Sequence, residues 1–331
     1  MTGAAPIAFQ AAATAIDVAP VPVAPARRVQ FVDVSRAVAV LGMLAANLVN
    51  VWLRDVPDVL AHNQGDALRA FDFPAPVFQF LVGVSLALFL PAGGRPGRRT
   101  EAVRRFVTLI LLGMVLDGIG ALSPWPRWGV LQTLGLGGLA ATALVGASTR
   151  VIVGVSLVGL ACFSGLANGI VHASPDAALA FVPLTLAGYL LGRRIAAGAA
   201  PATIARDASV LALVAGLGGV GLYVAGVPFN KLTGTSSFIA LTTGASALLV
   251  AGTARFEAAG GRFPAWLLLI GRNALTTWVL LHVLVYYPAW LVFPTWQRLA
   301  LPQGMVAACV TLVALCQTTL VLARRGIRVA L

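Results

Sequence analysis

The chain has 331 residues, of which 59% are hydrophobic and only 10% charged, with a formal net charge of +12 and a mean hydropathy of +0.91. Soluble domains carry roughly 25% charged residues, so a large solvated fold is excluded. The positive charge lies between apolar segments rather than in one patch, and no nucleic-acid partner is implied.

Residues 1–26 are rich in Ala and Pro and lack the basic start of a signal peptide. They read as a disordered cytoplasmic tail ahead of a single transmembrane domain at 27–331. Apolar runs then recur close to the ~20 residues a helix needs to cross a bilayer. They predict an all-α polytopic bundle with about ten spans, at 31–53, 73–91, 106–122, 129–148, 151–168, 178–192, 208–226, 237–253, 265–286 and 303–323. With the N-terminus in the cytoplasm, only Arg54, Arg69, Arg127, Lys231 and Arg298 fall outside, and Arg36 and Arg272 lie within spans. The remaining Lys and Arg residues face the cytoplasm, a positive-inside bias that predicts both termini inside. The expected partner is a lipid bilayer, and the expected location the cytoplasmic (inner) membrane of a bacterium. Cys162, Cys309 and Cys316 are odd in number and lie in apolar runs, so no disulfide framework follows.

In lipid, polar residues inside spans are costly and therefore informative. On a wheel of about 100° per residue, Asp33, Arg36, Asn47 and Asn50 of the first span share one face. That face must turn into the bundle. In the second span Asp72, Pro76, Gln79 and Gly83 form a second stripe. A carboxylate at the membrane boundary, as at Asp72, needs a partner. His62 stands in the loop between these spans, near Asp55, Asp58, Asp66 and Asp72. His172 and His282 also fall toward the outer side and read as structural or bystander groups. Asp117, Gln132, Asn230 and Lys231 gather near the outer leaflet, while Arg36, Arg272 and Asn273 lie in the inner half. Such a bundle suits an anionic substrate entering from the cytoplasm and reacting near the outer face. No metal-ligand spacing, phosphate-binding glycine loop or repeat of two halves is apparent.

Val32–Asn47, VDVSRAVAVLGMLAAN, resembles the first core helix of the heparan-α-glucosaminide N-acetyltransferase-like transmembrane acyltransferases, with Asp33, Arg36, Met43 and Asn47 at that family's spacings. The stretch from His62 through DFPAPVFQFLVG resembles the next one, with Asp72, Pro76, Phe78, Phe80 and Gly83 in register with a catalytic histidine at His62. GVLQ at Gly129–Gln132, VPFNK at Val227–Lys231 and GRNAL at Gly271–Leu275 extend the resemblance over about residues 28–290. Thr133 stands where the family commonly has Arg, and Ala37 where it has Gly.

The resemblance implies acetyl-CoA as the acyl donor and an amino or hydroxyl group of a sugar-like acceptor outside the cytoplasm. It implies His62, Asn47 and Asp72 as catalytic residues: His62 as base or acyl carrier, Asp72 orienting it, and Asn47 donating to the oxyanion. Arg36, Arg272, Asn273 and Gln132 are the expected donor-binding residues, since guanidinium groups suit phosphates. Asn230, Lys231 and Asp117 are the expected acceptor-binding residues. Direct transfer and an acyl-histidine route both remain open, and a monomer and a homodimer both fit. The competing reading is a transporter or flippase of a small polar or lipid-linked molecule, against which stands the absence of repeated halves.

Overall fold

The computed structural model describes residues 29–62, 65–91, 97–123, 127–166, 175–292 and 298–329. The expected tail at 1–26 and His172 lie outside these residues. Among the described residues the secondary structure is helical: α1 (Gln30–Trp52), α2 (Pro74–Phe89), α3 (Arg98–Gly120), α4 (Val130–Ala143), α5 (Thr149–Leu166), α6 (Pro175–Leu179), α7 (Val182–Ala196), α8 (Pro201–Val224), α9 (Ser236–Ala258), α10 (Ala265–Arg272), α11 (Ala274–Leu281) and α12 (Leu301–Arg324). One isolated bridge, Leu53 to Leu299, ties the end of α1 to the segment before α12.

Seven helical stretches are long and apolar enough to cross a membrane: Gln30–Trp52, Ala70–Phe89, Ala177–Ala196, Pro201–Val224, Ser236–Ala258, Ala274–Val292 and Leu301–Arg324. α4 and the first part of α5 are apolar but shorter. α3 opens with Arg98, Arg99, Glu101, Arg104 and Arg105, and only its later turns are apolar. The ten segments expected from the sequence fall on helical stretches, that at 265–286 on more than one helix, and seven stretches are spans by length and composition.

α1 is the central element and packs against α2, α9, α10, α11 and α12. Its first N–H groups, which no intrahelical carbonyl can serve, are met in part by Glu257: the Phe31 N–H donates to Glu257 Oε2 at 2.9 Å. A carboxylate there also suits the positive end of the helix dipole. Phe80, Leu184, Phe238 and Val250 fill the core between α2, α7 and α9. By contrast, α8 and α12 turn Val210, Leu213, Val214 and Leu217, and Val306, Val310 and Val313, outward, as helices facing lipid do.

The segment expected as one continuous helix over 265–286 is broken. Asn273 ends α10 and begins α11 at φ −116° and ψ 26°. Its Nδ2 donates to Leu269 O at 2.8 Å, the kind of side-chain bond by which Asn competes with helical backbone. Beyond Leu281 the helix widens into two π-helical turns, His282–Tyr286 and Pro288–Val292. π-turns are rare and recur at functional sites. Both irregularities lie beside the cavities described next.

Candidate active site

Three parts of the chain build one end of the bundle, the outer one in the topology expected from the sequence: the loop after α1, the loop before α9, and the π-helical turns. In the first loop, Arg69 acts as a clamp. Its Nη1 donates to His62 O at 3.2 Å and its Nη2 to Asp58 Oδ1 at 3.2 Å. Its backbone N–H donates to Asp72 Oδ2 at 3.0 Å. The second loop is folded by Asn230, whose Oδ1 accepts from the N–H groups of Leu232 and Thr233. Asn230 Nδ2 donates to Asp66 Oδ1 at 2.8 Å and so joins the two loops.

That junction delivers Lys231, 8% exposed, to the fully buried Asp72. Lys231 Nζ lies 3.4 Å from Asp72 Oδ1 and 3.5 Å from His62 Nδ1. The lysine, expected to touch the acceptor, thus stands between the histidine and the carboxylate expected to orient it. Two arrangements follow from its charge. An ammonium donates to Nδ1 and leaves the ring proton on Nε2, whereas a neutral amine accepts from Nδ1–H and leaves Nε2 as a base. Burial pulls the Lys231 pKa down toward the second arrangement, while Asp72 holds it up. The His62 pKa is lowered to about 4, first by burial and then by Lys231, against the opposing pull of Asp72. Asp72 alone would favour the imidazolium, but burial and the lysine outweigh it.

His62, Lys231 and Asn47 line a cavity of about 790 Å³ with Asp117, Arg127 and a row of rings, Trp278, His282, Tyr286 and Trp290. Asn47 Nδ2 donates to Met43 O at 2.7 Å, and its Oδ1 accepts from the Tyr286 hydroxyl. Asp117 Oδ2 accepts from Gln132 Nε2 at 2.9 Å, and the same Nε2 donates to Arg127 O at 2.8 Å. Gln132, expected at the donor, is therefore a partner of Asp117 at this end. Gly129, which opens the GVLQ motif, permits that pairing, because a Cβ there would lie 2.1 Å from Asp117 Oδ2.

His282, read from the sequence as a bystander, shares the cavity with His62. Its Nδ1 lies 3.0 Å from Trp278 O. A carbonyl only accepts, so Nδ1 carries the proton and the Nε2 of the neutral ring does not. The 4-residue spacing of Trp278, His282, Tyr286 and Trp290 was the available signal.

The inner end is built from helices alone. Asp33 bridges two guanidinium groups, with Arg36 Nη1 at 3.1 Å from Oδ1 and Arg272 Nε at 2.9 Å from Oδ2. Gly271 makes the second contact reachable: a Cβ there would lie 1.8 Å from Asp33 O. Arg36 Nε also donates to Ser85 Oγ of α2 at 3.1 Å. Arg36, Ser85, Phe89 and Arg105 line a cavity of about 230 Å³. An apolar cavity of about 180 Å³ lies between the two ends, sharing Phe78 and Leu109 with the inner one and Met43 and Trp278 with the outer one. Asn273, whose amide serves the break after α10, and Asn230 line none of these three cavities.

Residues 28–214 match the sequence profile of the family described as heparan-α-glucosaminide N-acetyltransferase, catalytic. The match covers more than half of the chain. No curated protein matches it. The chain belongs to this family of membrane acetyltransferases, and its helices make it an integral membrane protein.

Proposed function

Proceeding from that membership, we propose that the chain is a membrane-embedded acyltransferase that moves an acetyl group from cytoplasmic acetyl-CoA to an amino or hydroxyl group of a sugar-like acceptor at the outer face. The proposed topology has about ten spans with both termini inside, residues 27–331 forming the catalytic domain, in a bacterial cytoplasmic membrane.

The observation that carries this reading is the succession of cavities from Arg36 to His62. Arg36 and Asn47 are 11 residues apart on α1, about 16 Å of helix rise. The inner cavity offers guanidinium groups suited to the phosphates of CoA. The middle one is apolar and suits a thin, flexible arm, and the outer one holds the polar groups. An acyl thioester laid along this line keeps its charged end inside and its reactive carbon beside Asn47 and His62.

In the proposed reaction the acceptor nitrogen or oxygen attacks the thioester carbon, and a C–N or C–O bond forms. His62 Nε2 takes the proton that the acceptor loses while Nδ1–H donates to neutral Lys231. The carbonyl oxygen becomes an oxyanion and meets an N–H of Asn47. The C–S bond then breaks, and the departing thiolate receives the proton from His62, giving free CoA. Asp72 holds Lys231 in place. Asp117, Arg127 and the ring row form the acceptor's side of the cavity.

Purified protein incubated with radiolabelled acetyl-CoA and a panel of amino sugars and polyols tests the class. Labelled product supports direct transfer or a short-lived intermediate, and label retained on the protein in the absence of acceptor supports an acyl-histidine. Uptake of a panel compound into vesicles without acetylation would overturn the reading in favour of a transporter. Orientation is tested in a cysteine-free background. An impermeant thiol reagent added outside should label Val59→Cys and spare Arg98→Cys, and the reverse pattern overturns the two-sided arrangement.

A further inference from the structure

Among the described residues, Asn47 is the one amide side chain on the wall of the outer cavity, and an amide has two unlike ends. Turned one way it offers a substrate N–H, and turned the other way a carbonyl oxygen. Only the first stabilises an oxyanion. The contacts around Asn47 settle which end is offered.

Met43 O, a backbone carbonyl, accepts one Nδ2 hydrogen at 2.7 Å. The reversed amide would set Oδ1 against that carbonyl, acceptor against acceptor. The other end is met by Tyr286, 239 residues away in the chain, whose hydroxyl donates to Oδ1. With Oδ1 occupied and one Nδ2 hydrogen spent, the second Nδ2 hydrogen has no protein acceptor among the described residues. The cavity therefore meets a donor at position 47.

Tyr286 is itself held firmly. Its ring stacks on Trp290 at 4.4 Å and 16°, and lies edge-on to His282 at 5.1 Å. It is 8% exposed. The π-helical turn His282–Tyr286 places it, where an ordinary α-helix would carry the ring further round the axis. A hydrogen bond into the carbonyl end of an amide also polarises its N–H, which strengthens the donor left over.

We propose that Tyr286 is a positioning residue for acyl transfer: it occupies the carbonyl end of Asn47 so that the amide presents its N–H to the oxyanion. This rests on the acyltransferase reading above and adds to it a residue that never touches the reacting atoms.

The test is a double-mutant cycle on Asn47 and Tyr286, read as thiol release from acetyl-CoA in detergent with whichever panel acceptor the wild-type protein acetylates. Tyr286→Phe keeps both ring contacts and removes only the hydroxyl. Its kcat should fall by about 10- to 100-fold, a part of the loss expected when an oxyanion donor is removed outright. Its KM for acetyl-CoA should stay within about twofold, because uniform binding is untouched. Asn47→Ala with Tyr286→Phe should be no slower than Asn47→Ala alone, the non-additivity of two groups acting as one. Asn47→Asp can still accept from the Tyr286 hydroxyl but has no N–H, and should be as slow as Asn47→Ala. Retained affinity for acetyl-CoA shows that each variant is folded.

A wild-type rate in Tyr286→Phe overturns the proposal, as does strict additivity with Asn47→Ala. An active Asn47→Asp also overturns it, and does so even if the Phe variant fails to fold. Full activity in Asn47→Ala removes Asn47 from the reaction and so strikes the acyl-transfer assignment itself. No thiol release from the wild-type protein with any acceptor strikes the function.

Discussion

The two ends of the bundle hold their polar groups differently. At the inner end Asp33, Arg36, Ser85 and Arg272 sit on regular helices and largely satisfy one another, with Asp33 serving two guanidiniums at once. At the outer end the groups come from two loops and a widened helix, and some capacity is left over. Asn47, His282 and His62, each with one side-chain hydrogen-bonding position to which the described residues give no partner, line a cavity of about 790 Å³. Rigid, self-satisfied charge suits holding a ligand that comes and goes. Unspent hydrogen-bonding capacity in a partly closed space suits chemistry, because it costs nothing to reorganise when charge develops.

The largest expected effect breaks the outer end. His62→Ala should lower turnover by about 10²–10⁴-fold, the usual share of a general base, and leave acetyl-CoA binding intact because the inner end is unchanged. With the His62 pKa lowered to about 4, the wild-type base stays unprotonated well below neutral pH. The acid limb of the rate should therefore appear near pH 4 rather than near 6.5, and an initial-rate profile across that range decides it.

Lys231→Met sharpens the same end. It removes a neighbour whose charged form lowers the His62 pKa and leaves Asp72, which raises it, so the acid limb should move to higher pH. It also takes a hydrogen-bond partner from the buried Asp72, which should cost about 1–3 kcal/mol of stability, read as a loss in thermal melting. A limb that stays in place would show that Lys231 does not set the histidine.

Arg36→Lys tests the inner end. It keeps the charge and loses the planar fork; losing one charge-assisted hydrogen bond of about 1.5–3 kcal/mol should weaken acetyl-CoA binding by about 10-fold or more with kcat nearly unchanged. Direct binding measurements check this, and unchanged affinity would make the arginine purely structural. The smallest effect belongs to Asn230→Ala. Its side chain ties two loops without lining the cavity, so about 1 kcal/mol of loop stability should be lost, with a modest rise in the acceptor KM.

The sequence revealed the inner end better than the outer one. A helical wheel brings Asp33, Arg36 and Asn47 to one face because they share one regular helix, and the profile match begins there as well. The loop histidine and the stripe from Asp72 onward were legible in the same way, by short spacing. Lys231 was visible as a residue but not as the neighbour of His62, from which it is 169 residues distant. No local pattern reports that contact. Trp278, His282, Tyr286 and Trp290 offered only their 4-residue spacing, a weak signal for a different reason. At about 100° per residue, side chains four apart drift by about 40° at each step, so an α-helical wheel spreads the row. The wider turns remove that drift.

Under the proposed function, Asp33 carries a consequence for the tempo of the catalytic cycle. A phosphate held by Arg36 in the inner cavity must share that guanidinium with a resident carboxylate, so part of its attraction is cancelled before it arrives. The same carboxylate is ready to take the arginine back as the spent carrier departs. Such a built-in competitor weakens acetyl-CoA and CoA alike, which leaves the chemical step untouched and hastens escape of the product. Replacing Asp33 with Asn would remove the competitor, and the enzyme would then stall with its product bound.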